Sequence, residues 1–296
     1  MGWNSWDAYG TTVNESQFKA NAQWLADHLK SSGWQYVVVD MEWFVTNPLP
    51  EGNSTKSQFS LDDQGRYTPA INRFPSAAGD AGFKPLADYV HGLGLKFGIH
   101  ILRGIPKKAV EQNFAIEGSS YRAADAADTH DVCPWNPDNF GTDSSKPAAQ
   151  AYYDSIARLY ASWAVDLIKA DCISSRPYKG DDIRMLSLAI GKTGRPIVLS
   201  LSPGAAPIGK QVGHALALPG TESCPVLGSS RTKRFSRAAA CGQCGLIASV
   251  NGIWGQFRRK DSQAEAWSAG SPNGKRRRHR GRPVLAAQVL GENDEF

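Results

Sequence analysis

Two rhythms of apolar residues alternate along the first part of the chain. Residues 15–32 (ESQFKANAQWLADHLKSS) place Phe18, Ala22, Trp24, Leu25 and Leu29 on one face of a helix, and Gly33 stops it. Residues 82–93, opening with Pro85 in the first turn, and residues 147–163 repeat the helical spacing, and a further helix is predicted near residues 181–192. Between the helices lie short unbroken apolar runs bounded by turn formers: residues 34–40 (WQYVVVD), 94–101 (GLKFGIHI), 165–171 (VDLIKAD) and 196–202 (PIVLSLS). Each is too brief for a helix and reads as a strand buried on both faces. The opening MGWNSW begins with core-sized aromatics, as a first strand running into its loop would.

Five strand–helix alternations predict a parallel sheet of the α/β class. An open doubly wound sheet would satisfy the alternation, but no Gly-rich phosphate turn follows the first strand and GxGxxG is absent from the chain. The strands end instead in Asp40, His100, Lys169 with Asp171, and Ser202. Polar groups arriving from several strand ends favour a (β/α)8 TIM-type barrel, here incomplete, with chemistry at the C-terminal ends of its strands. Residues 45–80 and the stretch carrying Arg103, Cys133, Trp135 and Asn136 are predicted to be long loops. Taken alone, Asp171 has two readings: a catalytic carboxylate, or a group that caps the next helix or pairs with Lys169.

Composition divides the chain. Residues 1–204 carry 19 Lys/Arg against 22 Asp/Glu, and residues 205–296 carry 14 against 6. Nine tryptophans and a 41% hydrophobic fraction suffice for a large core, and no stretch has the apolar length of a membrane span. The N-terminus lacks a basic region followed by an apolar one, so no secretory signal is expected in this chain. Five cysteines, three of them crowded at Cys224, Cys241 and Cys244, make no disulfide framework.

At this point the residues resemble a known family. MGWNSW is similar to the opening signature of the α-galactosidase (melibiase) family of glycoside hydrolases, family 27, which includes α-N-acetylgalactosaminidases. Residues 36–43 with Asp40, the strand ending at His100, and Lys169-x-Asp171 follow in the family's order, and the resemblance covers about residues 1–208. It implies a (β/α)8 barrel and retaining hydrolysis of terminal α-galactosides without a cofactor. Asp171 would be the nucleophile, Lys169 a ligand of sugar hydroxyls, Asp40 a carboxylate that binds them, and Trp6 an aromatic wall of the sugar pocket. A lysine two residues before Asp171 points to the same barrel face, and its charge favours the ionised carboxylate.

Three positions depart from the pattern. Met41 stands where many members have a second acid, His100 where a tyrosine is common, and Ser202 where α-galactosidases carry a glutamate that contacts the sugar 2-hydroxyl. A smaller residue at Ser202 also occurs in the N-acetylgalactosaminidases, so galactose specificity stays open. The resemblance also puts Cys133 and Cys172 where some relatives form an active-site disulfide, two free thiols being the alternative. The expected partner is a small or oligomeric α-galactoside, with neither a membrane nor nucleic acid expected, and the oligomeric state is not indicated.

The resemblance stops near residue 208. The family's acid/base is an aspartate after the sixth strand, yet between Gly204 and Lys260 the only acid is Glu222. Residues 209–296 therefore form an atypical basic segment, for which three readings compete. KRRRHRGR (residues 275–282) could bind nucleic acid or act as a targeting signal. Cys241-x-x-Cys244 with Cys224 and His214 has some metal-ligand character, but a lone CxxC is weak. The favoured reading is a change of reading frame near residues 205–212, because helical period and acids vanish together. The catalytic alternative to a working enzyme is an inactive, sugar-binding barrel fragment.

Overall fold

A computed structural model of the chain describes residues 1–49, 56–174, 177–202 and 247–249. Strand β1 (Gly2–Asn4) runs into a short helix α1 (Trp6–Tyr9), and α2 (Glu15–His28) follows. The start of α2 is fixed by a capping box. Asn14 Oδ1 accepts the Gln17 N–H at 3.0 Å, while Gln17 Oε1 accepts the Asn14 N–H at 3.0 Å. Phe18, Ala22 and Leu25 form its buried face. A single 3₁₀ turn (Lys30–Ser32) then ends at Gly33, whose φ of 87° suits a residue without Cβ.

Strand β2 (Tyr36–Val39), helix α3 (Lys84–Gly92) and strand β3 (Lys96–Leu102) come next. The excursion that follows contains β4 (Ile105–Pro106), α4 (Lys107–Glu111), α5 (Ala123–Ala126), β5 (Ala127–Val132) and β6 (Asn139–Thr142). The chain then returns through α6 (Pro147–Ser162), β7 (Leu167–Asp171), α7 (Gly180–Lys192) and β8 (Val198–Leu201), and a further strand β9 covers Ile247–Ser249. One sheet has the order β1-β2-β3-β7-β8-β9 with every pairing parallel, the curved wall of a partial barrel. Val37, Val38 and Val39 are all buried, as are Leu167, Ile168 and Ala170, so both faces of these strands are covered.

Two sequence expectations need correction. Among the described residues of the 45–80 span there is no regular helix or strand apart from one 3₁₀ turn (Pro75–Ala77), but they do not simply lie over the surface: Tyr67, Ala70, Phe74 and Ala77 enter the core. The physical reason is Arg73. Its guanidinium is buried and donates to the carbonyls of Glu42, Val45, Thr11 and Val13, satisfying backbone that a buried loop would otherwise leave unpaired. The stretch after β3 is also more than a loop. It builds a second, antiparallel sheet of order β4-β6-β5. Its strand β5 reads ADTHDV, without period-two alternation, and a register shift between Asp128 and Val132 breaks the ladder, so no strand pattern was visible in the sequence.

Gly104 joins the two sheets. It lies between Leu102 of β3 and Ile105 of β4 with φ 88°, and a Cβ there would sit 2.0 Å from the Phe140 carbonyl oxygen. Gly104→Ala should therefore cost at least about 1–2 kcal/mol from the left-handed backbone alone, with the clash added. Urea unfolding of the variant checks it, and unchanged stability would remove Gly104 as a hinge between the sheets.

Candidate active site

The register of the parallel sheet brings the polar strand ends together. His100 lies opposite Lys169 and Leu102 opposite Asp171 across β3 and β7, while Lys169 lies opposite Ser200 across β7 and β8. Asp40 follows Val39, the partner of Ile99, so it arrives beside His100. Four elements thus deliver Asp40, His100, Lys169, Asp171 and the Ser200–Ser202 segment to the C-terminal end of one sheet.

The carboxylates are buried and tightly partnered. Asp171 is 8% exposed, and Asp40 and His100 are each 1% exposed. His100 Nε2 donates to Asp171 Oδ2 at 3.2 Å, and the Cys172 N–H donates to Asp171 Oδ1 at 2.7 Å. Burial pushes the Asp171 carboxyl up, but the hydrogen bond and attraction of His100, the Cys172 N–H and Lys169 together hold it below its ordinary value. Asp171 is therefore a buried carboxylate kept ionised. His100 is itself oriented from behind, its carbonyl accepting the Trp43 indole N–H at 2.8 Å.

Lys169 does not bond Asp171 directly. Its ammonium donates to Asp40 Oδ2 at 2.8 Å, and Asp40 Oδ1 accepts the Met41 N–H at 2.8 Å. Burial raises the Asp40 carboxyl, yet Lys169, His100 and these two bonds outweigh it and bring it down to about 2. Burial lowers the Lys169 ammonium, while Asp40, Asp171 and Asp7 outweigh it and raise it. Ser5 Oγ accepts the Asp40 N–H at 2.9 Å, so the turn after β1 also holds this carboxylate.

The remaining sequence candidates fall as follows. Trp6 sits just past β1 with 42% of its surface exposed. Ser202 is buried and its N–H donates to the Ala170 carbonyl at 2.9 Å. Cys133 and Cys172 are joined in a disulfide with a Cα–Cα distance of 6.1 Å. Among the described residues no group of three His, Cys, Asp or Glu side chains could hold a metal ion, and no helix is long and apolar enough to cross a membrane. The Cys241/Cys244/Cys224/His214 set, the basic run at residues 275–282 and the frame change near residues 205–212 lie outside the described residues.

Sequence reasoning missed Asp7 and the network under the disulfide. Arg103 Nη1 and Nη2 donate to Asp131 Oδ2 and Oδ1 at 2.7 and 2.9 Å, and Lys179 Nζ donates to Asp131 Oδ2 at 2.9 Å. Asp131 is embedded in a charged, aperiodic stretch, so no local signal marked it; only the fold brings it to Arg103.

Comparisons with known proteins find similarity to glycoside hydrolases. A family model described as alpha galactosidase A (Melibiase_2) matches residues 137–207. An α-galactosidase A of Cellvibrio japonicus is 29% identical over 203 residues, 68% of this chain and 37% of that protein. An α-galactosidase of Cyamopsis tetragonoloba is 26% identical over 203 residues, 68% of this chain and again 37% of that protein. Among solved structures, a family 27 β-L-arabinopyranosidase of Geobacillus stearothermophilus in complex with arabinose superposes with a TM-score of 0.69 at 50% identity. That match covers 73% of this chain and 50% of the Geobacillus enzyme. The chain thus spans 37% to 50% of the length of these three relatives.

The Asp40–Lys169 pair makes a direct stability prediction. Asp40→Ala leaves a buried ammonium without its partner and should cost about 3–5 kcal/mol near neutral pH. The folded carboxyl titrates at about 2 against an ordinary 3.8, so this contribution is present above 3.8 and is lost as pH falls through about 2. Denaturant melts of both proteins at neutral and acid pH check it; a gap that does not shrink on acidification would contradict the ion-pair origin.

Proposed function

The chain belongs to the α-galactosidase (melibiase) family of glycoside hydrolases, family 27, and on that premise we propose that it carries the nucleophile half of a retaining glycosidase active site. The observation that supports this most directly is Asp171 itself. It closes a barrel strand, is 8% exposed, and is kept ionised by His100, the Cys172 N–H and the Lys169 charge. A retaining enzyme needs such a carboxylate to attack the anomeric carbon, and a proton donor about 5–5.5 Å away to release the leaving group. The family's acid/base follows the sixth strand, and the chain beyond β9 lies outside the described residues. Asp40 and Lys169, a polar pair beside the nucleophile, suit the hydroxyls of a sugar ring, and the exposed Trp6 suits its apolar face.

The proposed substrate is a terminal sugar of galactose configuration. A β-L-arabinopyranoside has the ring stereochemistry of an α-D-galactopyranoside and lacks only the exocyclic hydroxymethyl. Two features favour including the pentose. The Geobacillus neighbour is a β-L-arabinopyranosidase, and Met41 stands where many family members have a second acid, a departure from the α-galactosidase pattern. His100 and Ser202 set the rest of the pocket apart from a standard α-galactosidase.

The test is hydrolysis of nitrophenyl α-D-galactopyranoside and nitrophenyl β-L-arabinopyranoside by the purified chain, beside Asp171→Asn. Turnover with retained anomeric configuration, lost in the variant, is expected. Cleavage that survives Asp171→Asn would take Asp171 out of the reaction. Sugar binding without any cleavage would assign the chain to the inactive, sugar-binding alternative.

A further inference from the structure

The turn that carries Asp171 is held by Arg103, the residue that follows β3. Cys172, immediately after Asp171, has a φ of 57°, a left-handed conformation that a residue with a Cβ adopts only where its surroundings impose it. The N–H of this residue is the 2.7 Å donor to Asp171 Oδ1, so the nucleophile's geometry depends on that conformation. Residue 103 grips both carbonyls of the turn. The Arg103 backbone N–H donates to the Asp171 carbonyl at 3.2 Å, and Arg103 Nε donates to the Cys172 carbonyl at 2.7 Å. The rest of the guanidinium is locked in a bidentate pair with Asp131 of β5, which Lys179 also holds.

Burying this guanidinium at 2% exposure is costly, and its three side-chain nitrogens all go to the turn or to Asp131. The disulfide from Cys133, the residue after β5, reaches the same Cys172. The antiparallel sheet therefore meets the nucleophile turn by two independent links, one ionic and one covalent.

We propose that Arg103, anchored by Asp131, is a positioning residue for the nucleophile: it fixes the left-handed turn at Cys172, and so aims the Cys172 N–H at Asp171 and Asp171 at the anomeric carbon. The proposal rests on the nucleophile reading of Asp171. Loss of Arg103 lets the turn relax, which misplaces the carboxylate and removes an N–H donor from it. The groups facing Asp171 are then His100 from β3 and Lys169 from β7, with Asp40 reached through Lys169. With one donor gone, the carboxylate becomes a weaker acid, and the acid limb of the reaction moves to higher pH.

The experiment separates this half of the reaction from the proton donor. The full chain is incubated with 5-fluoro-α-D-galactosyl fluoride. An Asp171 oxygen forms the bond to C1 as the C1–F bond breaks, and the electron pair leaves with fluoride ion, which needs no protonation. The second fluorine slows hydrolysis of the ester, so the sugar stays on Asp171 for mass spectrometry. Fluoride release gives the rate at each pH and reagent concentration. Arg103→Met should slow labelling by about tenfold to a hundredfold. The reagent concentration at half-maximal rate should be little changed and the acid limb raised, with Arg103→Lys and Asp131→Asn falling between.

Arg103→Met that melts like the parent, labels at the parent rate and keeps its acid limb would overturn the proposal while leaving the nucleophile intact. If that variant does not fold, Asp131→Asn, which keeps the side chain's shape, decides by the same three readouts. A parent chain left unlabelled at Asp171 would remove the nucleophile reading and this proposal with it.

Discussion

Keeping a carboxylate charged where water scarcely reaches is the constraint on which the rest of this site depends. Transfer of an isolated carboxylate into a protein interior costs several kcal/mol, and the usual response is protonation. Here the charge is retained because two donors and one positive charge act on it from three directions: the His100 ring from the neighbouring strand, the Cys172 N–H from the next residue, and the Lys169 field from two residues earlier. Each of these groups has its own support. His100 is steadied by Trp43, Lys169 is balanced by Asp40, and Cys172 is held by Arg103 and a disulfide.

The division of labour between the two sheets follows from that constraint. The parallel sheet sets which residues meet, because register places His100 opposite Lys169 and Asp171 one pleat further along. A parallel strand cannot also fix the residue beyond its end, where the ladder stops and the backbone turns left-handed. The antiparallel excursion between β3 and β7 supplies what the ladder lacks, through Asp131 to Arg103 and through Cys133 to Cys172. Gly104 permits the junction, since any side chain there would meet the Phe140 carbonyl.

Under the proposed function, the Lys169 and Asp40 pair would serve structure and recognition together. As a buried ion pair it is expensive to break, yet its two members set opposite charges beside Asp171, which under the proposed function would suit the donors and acceptors of a sugar ring. The simpler alternative for Asp171, pairing with Lys169 or capping the helix that follows, does not describe the structure: the lysine bonds Asp40, and Asp171 accepts from His100 and Cys172 instead.

By itself the sequence determined the alternation of elements and the identity of the strand-end residues. Both are written in local patterns: helical period in residues 15–32 and 147–163, unbroken β-branched and aliphatic runs at 34–40 and 165–171, and a polar group closing each run. The Met-Gly-Trp-Asn-Ser-Trp opening and the Lys-x-Asp pair then pointed to a family. Tertiary structure alone decided which partner each charge takes, that Arg73 makes a loop part of the core, and that a charged stretch without period becomes β5. Those outcomes depend on groups separated by 28 to 129 positions along the chain, as for Arg103 with Asp131 and Asp40 with Lys169. Local pattern records which face a residue presents to the core; the partner it meets there is set by register and by where an excursion folds back.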